Sequence, residues 1–251
     1  MIKRDLFLGA KYPDMIISCG GHEFNVHRAI ICPQSSFFEA AVNGNFSEAQ
    51  SMKIILPEDD PETIERVLSF LYTQEYKEVG HTMDLGLESA SAEKRRVSDD
   101  YSDGVDDQAL QSVYNNIRVY VAADKFDITP LKNMAIRRVM DWVEKNYKHE
   151  RFPDVVRRVL ESVAAQGNLR QVLIDYISLH SATMAEWKDM VRVMEDFGDL
   201  ACAVLNGVMD DLRSLQKKVD KLNEAIECSD YGVLRKEINE KQKCKNCSGL
   251  A

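Results

Sequence analysis

Two cysteines and two histidines stand close together near the start of the chain: Cys19, His22, His27 and Cys32. These are soft ligands and thiol–imidazole partners, so the first question is whether they form a metal centre or a catalytic pair. A zinc site needs three or four ligands converging at roughly 2 Å. The spacing C-x2-H-x4-H-x4-C matches none of the usual finger patterns. His22 shares strand parity with Phe24 and Val26, whereas His27 does not, so the two imidazoles leave a continuous strand on opposite faces. Cys32 has no basic run beside it to lower its pKa. The cluster therefore reads as fold rather than chemistry, and no catalytic residue is expected.

A second pair, Cys244 and Cys247, sits near the end as C-x2-C. That gap suits two ligands of one zinc, but four are needed. Cys228 or a second chain would have to supply the rest, and the plainer reading is a tail with free thiols. Cys244 and Cys247 are thus metal candidates, and zinc is the single cofactor considered.

The elements that would position these residues follow from periodicity. Met15–Cys19 is a short apolar run stopped by Gly20-Gly21, and Glu23–Val26 alternates, so the two read as a hairpin. Ser36-Phe37-Phe38-Glu39 has capping-box spacing and predicts a helix through Val42. Lys53–Leu56 is β-rich and is stopped by Pro57. Asp60-Pro61 opens a helix whose Ile64, Val67, Leu68, Leu71 and Tyr72 make one apolar face.

Residues 78–112 hold nine acids and three bases, supplying −6 of the net charge of −9. Few large apolar residues interrupt them, so the stretch reads as a disordered insertion. Its Lys94-Arg95-Arg96 followed by Ser98 would suit a modification or import signal, although a solvated loop is the plainer reading. Order is expected to resume near Ser112, with Val113, Ile117, Tyr120, Val121 and Phe126 on one helix. Thr129-Pro130 then caps another carrying Leu131, Ala135, Val139 and Trp142. Later stripes are Val155, Val159, Val163, then Leu169, Val172, Leu173, Tyr176, then Trp187, Val191, Met194, Phe197. Leu205, Val208, Leu212, Leu215, Val219, Leu222 and Ile226 are spaced 3, 4, 3, 4, 3, 4. That is an a/d seam over three heptads, readable as a coiled coil or as one long helix packed on its own domain.

The residues also carry a resemblance. Asp14, then Phe24-x-x-His27, then Ser35-x-x-Phe38, then Leu71-Tyr72, in that order and with those gaps, is similar to the BTB/POZ family. The likeness covers about residues 12–77 and resumes at about 113–143. It implies an α+β BTB/POZ fold, a small sheet with a helical cluster, followed by an all-helical extension and a terminal coiled-coil candidate. The expected organisation is a BTB/POZ domain at 12–145 interrupted by the 78–112 insertion, a helical region at 150–227, and a tail at 228–251 with the C-x2-C pair. Asp14, His27, Ser35 and Phe38 would be structural residues, with His27 close to a dimer centre.

The family implies a non-enzymatic interaction module: a homodimer acting as adaptor or scaffold, in some members for a cullin-type ubiquitin ligase. Cullin-binding members carry a hydrophobic-x-Glu motif before the third strand, where Phe46-Ser47-Glu48 lies here; Tyr72 completes the protein-binding candidates. A loop Phe folded back on the core is the alternative for Phe46. The alternatives for the whole are a transcription-regulatory BTB scaffold and a coiled-coil assembly factor without cullin binding. No kelch period of about 50 residues is visible. The layout resembles compact fungal BTB proteins with helical C-terminal regions. The acidic balance argues against nucleic acid as a partner, and no apolar run approaches the ~18 residues that span a bilayer, so an intracellular location, nuclear or cytoplasmic, is expected.

Overall fold

The computed structural model describes residues 11–43, 50–82 and 104–247, with side chains described except at 104–106, 185 and 224–247. It divides into two units, Met1–Leu173 and Ile174–Ala251.

In the first unit β1 (Met15–Cys19) and β2 (His22–Val26) form the expected antiparallel hairpin, with Ile17 opposite Phe24. Gly20 and Gly21 both take positive φ, the conformation a two-residue type I′ turn demands. A side chain at Gly20 would also meet Pro61 Cγ at 2.7 Å. β3 (Lys53–Leu56) lies parallel to β1, with Ile17 opposite Ile54, giving the order β2-β1-β3. Met15, Ile17, Cys19, Phe24, Val26, Ile54 and Leu56 are buried, as period-2 alternation requires of one covered face.

The crossover from β2 to β3 begins with α1 (Arg28–Ile31), a 3-10 turn (Cys32–Gln34) and α2 (Ser36–Asn43). The cap of α2 differs from the expected capping box by one residue. Pro33 lies in the 3-10 turn and the chain leaves it with Ser35 extended, at φ −148° and ψ 113°, which is N-cap backbone. Ser35 Oγ accepts from the Phe38 N–H at 3.2 Å and donates to the Phe126 carbonyl at 2.6 Å. Ser36 points elsewhere, donating to Asp127 Oδ2 at 2.6 Å.

Helix α3 (Pro61–Thr73) starts as expected: the Asp60 carboxylate accepts from the Thr63 N–H at 3.0 Å, and Pro61 fills the first turn. It ends at Gln74, in left-handed backbone. One apolar face was expected, yet every residue from Thr63 to Tyr72 is buried. The polar side is covered by residues 75–82, which include the first part of the stretch expected to be disordered. Arg66 donates to the carbonyls of Lys77 (3.1 Å), Glu62 (2.9 Å) and Gly80 (3.3 Å). The Glu65 carboxylate accepts from the Thr82 N–H and bonds His81 Nδ1.

Helix α4 (Gly104–Lys125) begins well ahead of Ser112, which corrects the far end of the expected insertion; residues 83–103, including Lys94–Arg96 and Ser98, lie outside the described residues. Val113, Ile117, Tyr120 and Phe126 are buried as expected, but Val121 is exposed. Helix α5 (Thr129–Asn146) buries Leu131, Ala135, Val139 and Trp142 as expected. Its N-cap is Ile128, without a side-chain cap, so Thr129 is already helical. Helix α6 (Phe152–Ser162) follows, with Val155, Val159 and Val163 buried.

Helix α7 (Asn168–Leu179) crosses the division between the units. Leu169 and Leu173 are buried as expected, whereas Val172 is exposed. The second unit continues with α8 (Ser181–Glu186), α9 (Lys188–Asp196) and α10 (Gly198–Cys247). On α9 the buried residues are Met190 and Val193, and Val191 is exposed, so the expected stripe is wrong in phase. Ser178 Oγ donates to the Ala203 carbonyl at 2.9 Å, and a Cβ at Gly207 would meet Ser178 O at 2.4 Å. Only glycine permits that approach.

The corrected cap yields a prediction. Ser35→Ala strands a buried amide and a buried carbonyl and is expected to lower stability by about 1–3 kcal/mol. Ser36→Ala removes an exposed bond and should cost well under that. Urea midpoints followed by circular dichroism decide it, and equal losses would return the cap to Ser36.

Candidate interaction surfaces

The four soft ligands near the start stand apart from one another in role, and Cys19, His27 and Cys32 each have their own partner. Cys19 ends β1 and donates its thiol to the Asp59 carbonyl at 3.0 Å. Burial, reinforced by Asp59 and Asp60, pushes that thiol up to about 11. His22 stands opposite Cys19 at the turn. His27 lies at the far end of β2 and Cys32 in the 3-10 turn, where its thiol faces the Phe38 carbonyl at 3.8 Å and is pushed up by burial. Thiols raised this way stay protonated at neutral pH, which removes the nucleophile. Among the described residues no group of three or more His, Cys, Asp or Glu side chains is placed to hold a metal.

His27 instead closes a lattice over the strand end. Its Nε2 faces the Lys11 carbonyl at 2.6 Å and its Nδ1 faces Tyr72 Oη at 2.7 Å. A carbonyl only accepts, so Nε2 carries the proton and Nδ1 accepts from the tyrosine hydroxyl. That hydroxyl also accepts from the His27 backbone N–H at 2.9 Å. The neighbouring Asp14 Oδ1 accepts from the Arg28 N–H at 2.8 Å, capping α1 in place of its own N-cap residue, His27, which makes no cap bond. Asp14, His27 and Tyr72 are therefore brought together, while Ser35 and Phe38 serve the core beneath α2, with the Phe38 ring tilted against Phe126 at a centroid distance of 5.1 Å.

A cleft of about 350 Å3 opens on the other side of α3, between the Glu58–Asp60 turn, α4 and α6. Acids line one wall and Arg118, Lys125 and Arg158 the other, with Tyr114 and the exposed Val121 between. Lys125 pairs with Asp59 at 2.7 Å across it. Mixed charge around an apolar floor suits recognition of a polypeptide segment. Sequence reasoning missed this cleft, because its walls meet only in the fold; Val121, expected on the apolar stripe of its helix, instead lines it exposed.

Phe46, Ser47 and Glu48 lie outside the described residues. Cys244 and Cys247 fall within α10, three positions apart, with side chains outside the described set. The missed polar set comprises Glu65, Arg66, Asn115 and Asn116. Asn115 donates to the Glu78 carbonyl at 2.7 Å, and Asn116 bonds the Glu78 carboxylate at 2.9 Å and Tyr76 Oη at 2.8 Å. No helix among the described residues is long and apolar enough to cross a membrane.

Comparison with known proteins places these observations. A family model described as BTB/POZ domain matches residues 4–92. The chain is 32% identical over 60 residues to the human protein named Kelch-like protein 11, covering 22% of this chain and 8% of that one. It is 32% identical over 69 residues to the zebrafish Kelch-like ECH-associated protein 1A, covering 28% and 11%. The chain thus spans about a tenth of the length of these relatives. Both are vertebrate proteins, and neither bears on the expected fungal likeness.

The Tyr72 lattice has a pH signature. Burial, with a small addition from Asp14, lifts the hydroxyl to about 12 against the opposing pull of the His27 amide. An unfolded tyrosine ionises near 10. Between about 10 and about 12 the folded state therefore holds the extra proton, and stability falls as pH rises through that window. In Tyr72→Phe this part of the pH slope should flatten while stability at neutral pH drops; urea melts from pH 9 to 12 measure both. An unchanged slope would remove Tyr72 from the lattice.

Proposed function

Because residues 4–92 carry a BTB/POZ domain, we propose that this protein is a non-enzymatic interaction module, an intracellular homodimer that acts as an adaptor or scaffold for a cullin-type ubiquitin ligase. A BTB/POZ domain is a protein-interaction module, and that match is the observation on which the reading rests. Among the candidate ligands near the start, Cys19, His27 and Cys32 each face a backbone carbonyl. The strand-end lattice of Asp14, His27 and Tyr72 gives the domain a fixed edge on which a second copy can register. Phe46-Ser47-Glu48 is the proposed cullin contact, a phenylalanine entering a pocket with a glutamate directing it at the rim.

The test uses the full-length chain. Light scattering should give a dimer, and titration with a cullin N-terminal domain should give saturable binding. Phe46→Ala should then weaken that binding by about tenfold or more, as expected of an interface anchor, and leave the mass unchanged. A dimer that does not bind the cullin would leave the regulatory-scaffold reading, and binding untouched by Phe46→Ala would put the contact elsewhere.

A further inference from the structure

Helix α10 carries an apolar stripe that its own unit does not cover. Leu205, Leu212, Leu215, Val219 and Leu222 are 61%, 55%, 55%, 47% and 62% exposed. Part of the same surface floors a groove of about 540 Å3 beside α8, with Val208, Leu212 and Leu215 at its base and Asp211 and Lys218 among its lining. Ser181, also in that lining, is fully buried with its Oγ unbonded, the only such side-chain atom among the described residues. Among the described residues Asp211 and Lys218 have no ion-pair partner, although Arg213 and Asp210 on the same turns pair at 2.8 Å.

The order of the stripe is its informative feature. Over the described side chains Leu205, Val208, Leu212, Leu215, Val219 and Leu222 read the same from either end, in residue type and in spacing, the next seam residue, Ile226, lying outside that set. A helix laid against a copy of itself can therefore match layer for layer in either direction. The flanking charges distinguish the two. With Leu205 at position a, Asp211 and Lys218 occupy g, and Gln216 and Asn223 occupy e. Parallel helices bring g against e of the next heptad, so Asp211 would face Gln216 and Lys218 would face Asn223, with no charge satisfied. Antiparallel helices bring g against g, so Asp211 would face Lys218 of the other copy, and the two-fold axis makes that pair twice.

We propose that a second copy of this chain covers the stripe, its α10 running antiparallel, with Leu205 against the partner's Leu222, Val208 against the partner's Val219, and Leu212 against the partner's Leu215. The partner helix fills the groove beside α8, and its Lys218 reaches Asp211 at the rim. The axis passes between Leu212 and Leu215. The C-terminal ends leave in opposite directions, and at 1.5 Å per residue each Cys244 lies about 45 Å from the axis. A zinc shared between two Cys244–Cys247 pairs is incompatible with this arrangement. The interface is separate from the BTB/POZ dimer proposed above and does not rest on it.

The test is a zero-length carbodiimide crosslink on full-length protein, using chains of two nitrogen isotopes exchanged with one another. The expected product is a mixed-isotope peptide joining Asp211 to Lys218. It should vanish in D211K and in K218D and return in the doubly swapped D211K/K218D. These residues are exposed, so the variants should keep wild-type circular dichroism. L215E, which puts a charge at the centre of the stripe, should abolish the product. Absence of the wild-type product in a dimeric protein would overturn the antiparallel seam and leave the BTB/POZ dimer standing. Failure of the double swap to restore the product would also overturn it. Retention of the product in an L215E chain that stays dimeric would sink the proposed layer pairing, whereas conversion of the L215E chain to monomer would place all of the dimer contact in the seam and refute the BTB/POZ dimer instead.

Discussion

The first unit depends on burying α3 on every side. An amphipathic surface helix needs cover on one stripe only. Here Glu65 and Arg66, 1% and 4% exposed, are also removed from water, and desolvating each ion costs several kcal/mol unless bonds replace the hydration. The replacement comes from backbone groups of residues 77–82 and from His81. That segment is in turn read by Asn115 and Asn116 of α4, and Arg138 of α5 sits 4.0 Å over the Tyr76 ring while bonding the Tyr76 carbonyl at 2.9 Å. A stretch of the chain with little apolar content beyond Tyr76 is thus held largely by the polar demand of the helix it covers. The sheet, α3 and the helices beyond are coupled through it.

The second coupling runs through Ser35. Its hydroxyl bonds to the end of α2's first turn and to the carbonyl of Phe126, ninety-one residues on. Phe38 and Phe126 pack directly above. A cap that is ordinarily a local device therefore also docks the α4–α5 connection against the strand-bearing half.

Much of this was legible in the sequence, for identifiable reasons. The three strands are short β-rich runs bounded by Gly-Gly and Pro, and the α3 N-cap is an Asp-Pro signal, so local chemistry suffices. The α2 cap was misread by one residue because Ser35 and Ser36 both satisfy a serine rule, and only the 3-10 turn at Pro33 selects between them. The second face of α3 was missed because Glu65, Arg66 and Ser69 are residues that normally face water; periodicity reports where a stripe lies, not how wide the cover is. On α9 apolar residues occur in two phases within nine positions, and packing chose Met190 and Val193 over Val191. At the candidate surfaces, His27 and Tyr72 each stood out, but the bond between them joins residues forty-five apart and follows from no local pattern.

A three-heptad seam is short, and six apolar layers on an exposed helix would by themselves give a weak contact. Its setting changes that. If the BTB/POZ domain holds two copies together, the second contact becomes intramolecular, at an effective concentration in the millimolar range where the intervening chain can span the distance. A weak seam is then populated without any gain in its own affinity, and its loss loosens the dimer without abolishing it. Two separate two-fold contacts in one chain also limit the assembly. Coincident axes close a dimer, whereas distinct axes recruit further copies. In the proposed seam the opposed charges of Asp211 and Lys218 favour the antiparallel direction.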